Sequence, residues 1–140
     1  MVPINYLAVV AAAVSAMVWG FLWYGPLFGK TWSAMMGWSQ EAMAEARKKG
    51  MAKQYAIQFL GALAMAFVLA HNLTFAGEYL KETGHSLGLQ AGFWNWLGFI
   101  VPVTLGVVLW EGKSWKLWLL NAGYYLVVLC TMGLILAYWQ

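Results

Sequence analysis

Charged side chains are scarce in this chain. They make up 9% of its 140 residues, while hydrophobic residues make up 63%. A soluble domain carries about 25% charge, enough to cover its surface with water-seeking groups. A water-soluble globule is therefore excluded. There is one cysteine, Cys130, so a disulfide scaffold is excluded as well, and the low charge excludes disorder and coiled coil. Alternation of apolar and polar residues is also missing. Runs such as Phe67-Val68-Leu69-Ala70 and Leu126-Val127-Val128-Leu129 do not have the two-residue period of a membrane β-barrel. No Lys or Arg precedes Lys30, so the first apolar run lacks the basic flank of a cleaved signal peptide and reads as a retained span.

Four stretches, 1–29, 54–77, 83–110 and 117–140, contain no Lys, Arg, Asp or Glu. Each is long enough for one helix across a hydrocarbon core about 30 Å thick, and too short for two. The expected fold is all-α: a polytopic membrane protein, a single four-transmembrane-helix bundle with helices near 4–24, 54–76, 87–110 and 117–139. Gly25-Pro26 is expected to stop the first helix. A short amphipathic helix near 39–50 is expected to lie at the cytoplasmic interface, capped by Ser39 and closed by Gly50.

Positive charge is asymmetric. Lys30, Arg47, Lys48, Lys49, Lys53, Lys113 and Lys116 fall in the first and last connections, and only Lys81 falls on the other side. The positive-inside rule makes the first and last connections cytoplasmic and turns both termini outward. This distribution suits the lipid bilayer as partner, not nucleic acid. Trp23, Tyr24, Trp32, Trp110, Trp115, Trp118, Tyr138 and Trp139 flank the expected helix ends and read as interfacial anchors.

No Asp, Glu, Lys or Arg lies mid-span, so a proton pump or charge-coupled carrier lacks its usual carrier group. The intramembrane polar groups are amides. Asn5, Gln54, Gln58, Asn72, Asn95 and Asn121 each fall on a face with small or aromatic residues. They are expected to bind or pass a small apolar or weakly polar molecule, or to hydrogen-bond between helices, in two layers. Asn5, Asn72 and Asn95 form the outer layer; Gln54, Gln58 and Asn121 form the inner one. Gly98, Pro102 and Gly106 make a kink or hinge in the third helix. Small-residue faces on the first and third helices are expected to serve a homo-oligomer. Glu111 is expected to pair with Lys30, Lys113 or Lys116 at the cytoplasmic boundary.

Other chemistry lacks its parts. The phosphate-loop pattern needs a glycine where Tyr24 stands. His71, Glu78, Glu82 and His85 include a Glu-x-x-His pair, the spacing of helical-bundle metal sites, but a second such pair is missing and Gly77 and Gly84 are expected to interrupt the helix. No catalytic residue and no cofactor are expected, and an enzyme with an outer-face metal on these four residues is the third reading after ligand binding and partner docking. The 31–50 segment, with Trp32, Met35 and Met36, could lie on lipid or dock a protein partner.

Two motifs carry a resemblance. One is Trp23-Tyr24-Gly25-Pro26-Leu27-Phe28-Gly29-Lys30, leading to Trp32. The other is Trp110-Glu111-Gly112-Lys113-Ser114-Trp115-Lys116-Leu117-Trp118, leading to Asn121-Ala122-Gly123-Tyr124. With them the chain resembles the bacterial membrane family called domain of unknown function 1761. The resemblance implies a small four-helix protein of the bacterial inner membrane and no assigned activity.

Overall fold

A computed structural model describes residues 2–139; Met1 and Gln140 lie outside the described residues. Four helices are long and apolar enough to cross a membrane: α1 (Tyr6–Leu27), α4 (Ala52–Leu80), α5 (His85–Leu109) and α6 (Trp115–Tyr138). Two short helices, α2 (Gly29–Met36) and α3 (Gln40–Lys49), connect α1 to α4. The bundle thus has one end carrying the turn at Lys81 and another carrying the turn at Glu111 and the α1–α4 connection.

Local signals explain most boundaries. The Asn5 side chain accepts from the Leu7 and Ala8 N–H groups and opens α1. Ser39 caps α3 through Ala42 N–H at 3.1 Å, and Gly50 closes it at φ 81°. The Ser114 hydroxyl caps α6 through Leu117 N–H. Gly37 ends α2 in the left-handed region, with the Trp38 N–H donating to the Ser33 carbonyl at 3.0 Å.

Two expectations are corrected. Gly25-Pro26 does not stop α1. The helix widens into a π turn over Trp23–Leu27, and the Phe28 N–H reaches back five residues to the Trp23 carbonyl at 2.9 Å. Proline has no N–H to give its own turn, and the wider turn relieves its ring from the preceding carbonyls. Nor does Gly77 interrupt α4, which runs on to Leu80. Gly77 is there for close approach: a Cβ would stand 3.2 Å from the Leu87 side chain and 3.3 Å from the Glu82 carbonyl oxygen.

α6 is the hub, packing against α1, α4 and α5. α1 lies on α4, and Ala8, Ala12, Ala13 and Ala16 of α1 and Ala62, Ala66 and Ala70 of α4 are all buried in the shared core. Gly88 and Gly92 of α5 meet the α6 backbone at Gly133 and at Leu129–Cys130. In an apolar solvent helices gain little by hiding apolar surface, so association rests on close van der Waals contact that small residues permit. The alanines of α1 and Gly88 and Gly92 of α5 are therefore used inside the chain, whereas Gly98 of α5 faces open space. Met132, Ala12, Ala13 and Ala66, each 0% exposed, fill the centre.

Candidate functional site

α4 and α5 are antiparallel neighbours across the Lys81 turn, and their facing amides meet. Asn95 Nδ2 donates to the Ala91 carbonyl one turn back at 2.8 Å, which leaves Asn95 Oδ1 as an acceptor. Asn72 Nδ2 fills it at 3.0 Å. Both amide orientations follow from that chain of donors. The remaining group, Asn72 Oδ1, accepts from no donor among the described residues. Asn72 lies about 12 Å inside the Leu80 end of α4, at about 1.5 Å per residue.

A groove of about 240 Å³ opens at this pair, lined by Asn72, Ala76, Leu80, Leu87, Gln90, Ala91, Trp94 and Asn95. Its walls are mostly apolar with two amides at one end, the usual make-up of a small-molecule site, and it falls slightly below the usual range of about 300–1,000 Å³. Gln90 at its rim donates to Ser86 Oγ at 3.0 Å and to a Glu82 carboxylate oxygen at 3.3 Å.

A second polar seam lies where the α1 π turn meets α6. The Tyr24 hydroxyl donates to Asn121 Oδ1 at 2.8 Å. Tyr24 also packs on Tyr124 and Trp32, with ring centroids 5.1 and 5.2 Å apart. Tyr124 donates its hydroxyl to the Ala16 carbonyl at 3.1 Å. Indole groups stitch the same region: Trp23 to the Leu120 carbonyl, Trp96 to the Ala122 carbonyl, Trp19 to Thr131 and Trp118 to Thr104. Reading Trp23 and Trp118 as interfacial anchors missed these bonds. The available signal was the pairing of indoles with polar residues at matching depth on α6, such as Trp19 with Thr131.

The other candidate residues are placed apart from these seams. Asn5 spends its side-chain oxygen on its own helix start. Gln54 and Gln58 are exposed. They share the Asn72 face of α4, but α4 packs on α5 only along His85–Asn95. Gly61 and Gly98 face open space. The regular α-helix of α5 is interrupted by a π turn over Trp96–Ile100, just ahead of Pro102, with a second break at Leu105 before Gly106. The expected pairing of Glu111 with Lys30, Lys113 or Lys116 does not form, because the one ion pair among the described residues joins Lys81 to Glu78 at 3.3 Å. Glu111 sits in an exposed turn whose Gly112 takes φ 70°, where water solvates the carboxylate.

No three metal-ligating side chains converge among the described residues. His71 contacts the Phe67 carbonyl, His85 the Tyr138 hydroxyl, Glu78 pairs with Lys81 and Glu82 accepts from Gln90. The turn at Lys81–Gly84 separates the helix bearing His71 and Glu78 from the one bearing His85.

No curated protein and no solved structure matches this chain. A family model does match, over residues 7–137, which takes in both polar seams and all four long helices except their outermost residues. The chain belongs to the family described as protein of unknown function, DUF1761.

Proposed function

We propose that this is a membrane protein that binds a small, neutral, weakly polar molecule in the α4–α5 groove. The observation that carries this reading is the uncommitted Asn72 Oδ1 at the end of an apolar groove. An acceptor at that depth is costly unless something donates to it. The complementary ligand carries a hydroxyl or N–H donor at one end and an apolar body along Ala76, Leu80, Leu87 and Trp94. Binding fits better than passage through the bundle, because the side chains at its centre are closely packed. The positive charge on the Glu111 end supports a cytoplasmic position for that end.

The test uses the reconstituted protein and two photoactivatable probes, a diazirine-bearing dodecanol and the matching dodecane. The alcohol is expected to label the α4–α5 segment more than the alkane does. Asn72→Leu should lower alcohol labelling there about fivefold, the equivalent of one hydrogen bond of about 1 kcal/mol, and leave alkane labelling unchanged. Equal labelling by alcohol and alkane in the unaltered protein would sink the reading.

A further inference from the structure

α3 stands apart from the bundle. No other helix packs against it, and of its residues only Met43 is even half-buried. It is flanked by Gly37 at φ 72° and Gly50 at φ 81°, and a Cβ on either would meet nothing within 4 Å. Both glycines have open space around them, and Trp38 after the first is held to α2 by its N–H on the Ser33 carbonyl at 3.0 Å and its ring 5.0 Å from that of Trp32. The helix between them is firmly capped by Ser39.

Its sequence has two faces. At about 100° per residue, Ala42, Ala46 and Met43 occupy an arc of about 100°. Lys49 borders that arc on the Ala42 side and Arg47 borders it on the Met43 side. Glu41, Glu45 and Lys48 lie on the opposite side, with Gln40 and Ala44 between them and Arg47. Neither Arg47 nor Lys49 is in an ion pair, since the one such pair among the described residues is Lys81–Glu78. The basic groups at this end of the molecule are Lys30, Arg47, Lys48, Lys49, Lys53, Lys113 and Lys116, against the carboxylates Glu41, Glu45 and Glu111. The exposed Trp38 lies just before the cap.

We propose that α3 is an arm that lies down on anionic lipid headgroups, with Ala42, Met43 and Ala46 toward the acyl boundary and Arg47 and Lys49 on the phosphates. A strip of two alanines and one methionine is too small to hold the arm on neutral lipid, so the cations decide whether it docks. Docking switches with lipid charge: the arm is released on phosphatidylcholine and held on phosphatidylglycerol. The arm turns about Ser39 and Gly50, with Trp38 staying against α2.

The whole protein, with Cys130→Ser and an environment-sensitive dye on Met43→Cys, is placed in nanodiscs of phosphatidylcholine or of an equimolar mixture with phosphatidylglycerol. The dye should be shielded from a water-soluble quencher in the anionic discs and exposed in the neutral ones. Salt at about 1 M, where the screening length falls to about 3 Å, should release it. Arg47→Gln and Lys49→Gln should each weaken shielding about fivefold, and Lys48→Gln, on the far face, less than about twofold. These changes lie within the same turn, so a loss of helix would strike all three alike and separates unfolding from lost contact. Equal shielding in neutral and anionic discs overturns the proposal, as does a Lys48→Gln effect as large as that of Lys49→Gln. Shielding in neutral discs on adding inorganic phosphate or polyglutamate, with none from phosphatidylglycerol, would make the partner a soluble anion or an acidic protein and also overturns it.

Discussion

Tyr24, Asn121 and the indoles show how a few side chains hold an apolar bundle together. Carbonyl oxygens keep a second lone pair after their helical bond, and an indole or phenol on the neighbouring helix can use it. Trp23 and Trp96 do this to α6 from opposite sides, at the Leu120 and Ala122 carbonyls. The Tyr24–Asn121 bond at 2.8 Å is the shortest side-chain link between α1 and α6. Interhelical bonds of this kind contribute about 0.6 to 1.7 kcal/mol, since the separated helices also find partners. A double-mutant cycle on Tyr24→Phe and Asn121→Leu, read from unfolding in bicelles, should return a coupling in that range. A coupling within error of zero would show that the two groups are interchangeable with water or lipid.

Among the elements, α5 is built of two unlike halves. From His85 to Asn95 its glycines press on the α6 backbone, and from Trp96 onward a π turn, Pro102 and the break at Leu105 loosen it. The same residue type therefore has opposite roles along one helix. A Cβ on Gly92 would stand 2.6 Å from the Leu129 carbonyl oxygen and 2.8 Å from Cys130 backbone atoms, whereas one on Gly98 would meet nothing. Gly92→Ala should destabilise the protein by about 1–3 kcal/mol, the usual cost of overpacking. Gly98→Ala should leave stability unchanged or raise it by up to about 1 kcal/mol by restricting the unfolded chain. Equal effects from the two variants would show that α5 and α6 are not in backbone contact at Gly92. Uniform helical spacing would put Asn95, Gly98, Pro102 and Gly106 on one arc, but the π turn over Trp96–Ile100 adds a residue and rotates the remainder of the helix, so that arc is not continuous.

For the whole molecule, charge and shape point the same way. The Glu111 end carries Lys30, Lys113, Lys116 and the basic residues of α3, while the Lys81 end carries one cation between Glu78 and Glu82. With Cys130→Ser, a cysteine at Ser39 should resist an impermeant thiol reagent in intact cells and one at Ser86 should react. The reverse labelling pattern would invert the orientation. α4 is about 43 Å long at about 1.5 Å per residue, so it must tilt or project beyond a core of about 30 Å.

The number of long helices, their approximate spans and the caps at Ser39 and Gly50 were legible in the residues alone. Those features depend on local composition: the length of an uncharged run, a hydroxyl before a helix, a glycine after one. Asn72 and Asn95 also stood out as polar groups within apolar spans. Packing in three dimensions was needed to establish that these two amides meet, that Gln54 and Gln58 on the same face do not, and that Asn5 serves its own helix. α4 meets α5 along His85–Asn95, which brings Asn72 to Asn95 and leaves Gln54 and Gln58 without a facing helix, and the π turn that follows Asn95 is not registered by helical periodicity. The same holds for Pro26, where the sequence shows a missing N–H and only the folded backbone shows a wider turn absorbing it. Glu111 has cationic neighbours in sequence, yet the geometry of a turn around Gly112 leaves its carboxylate to water.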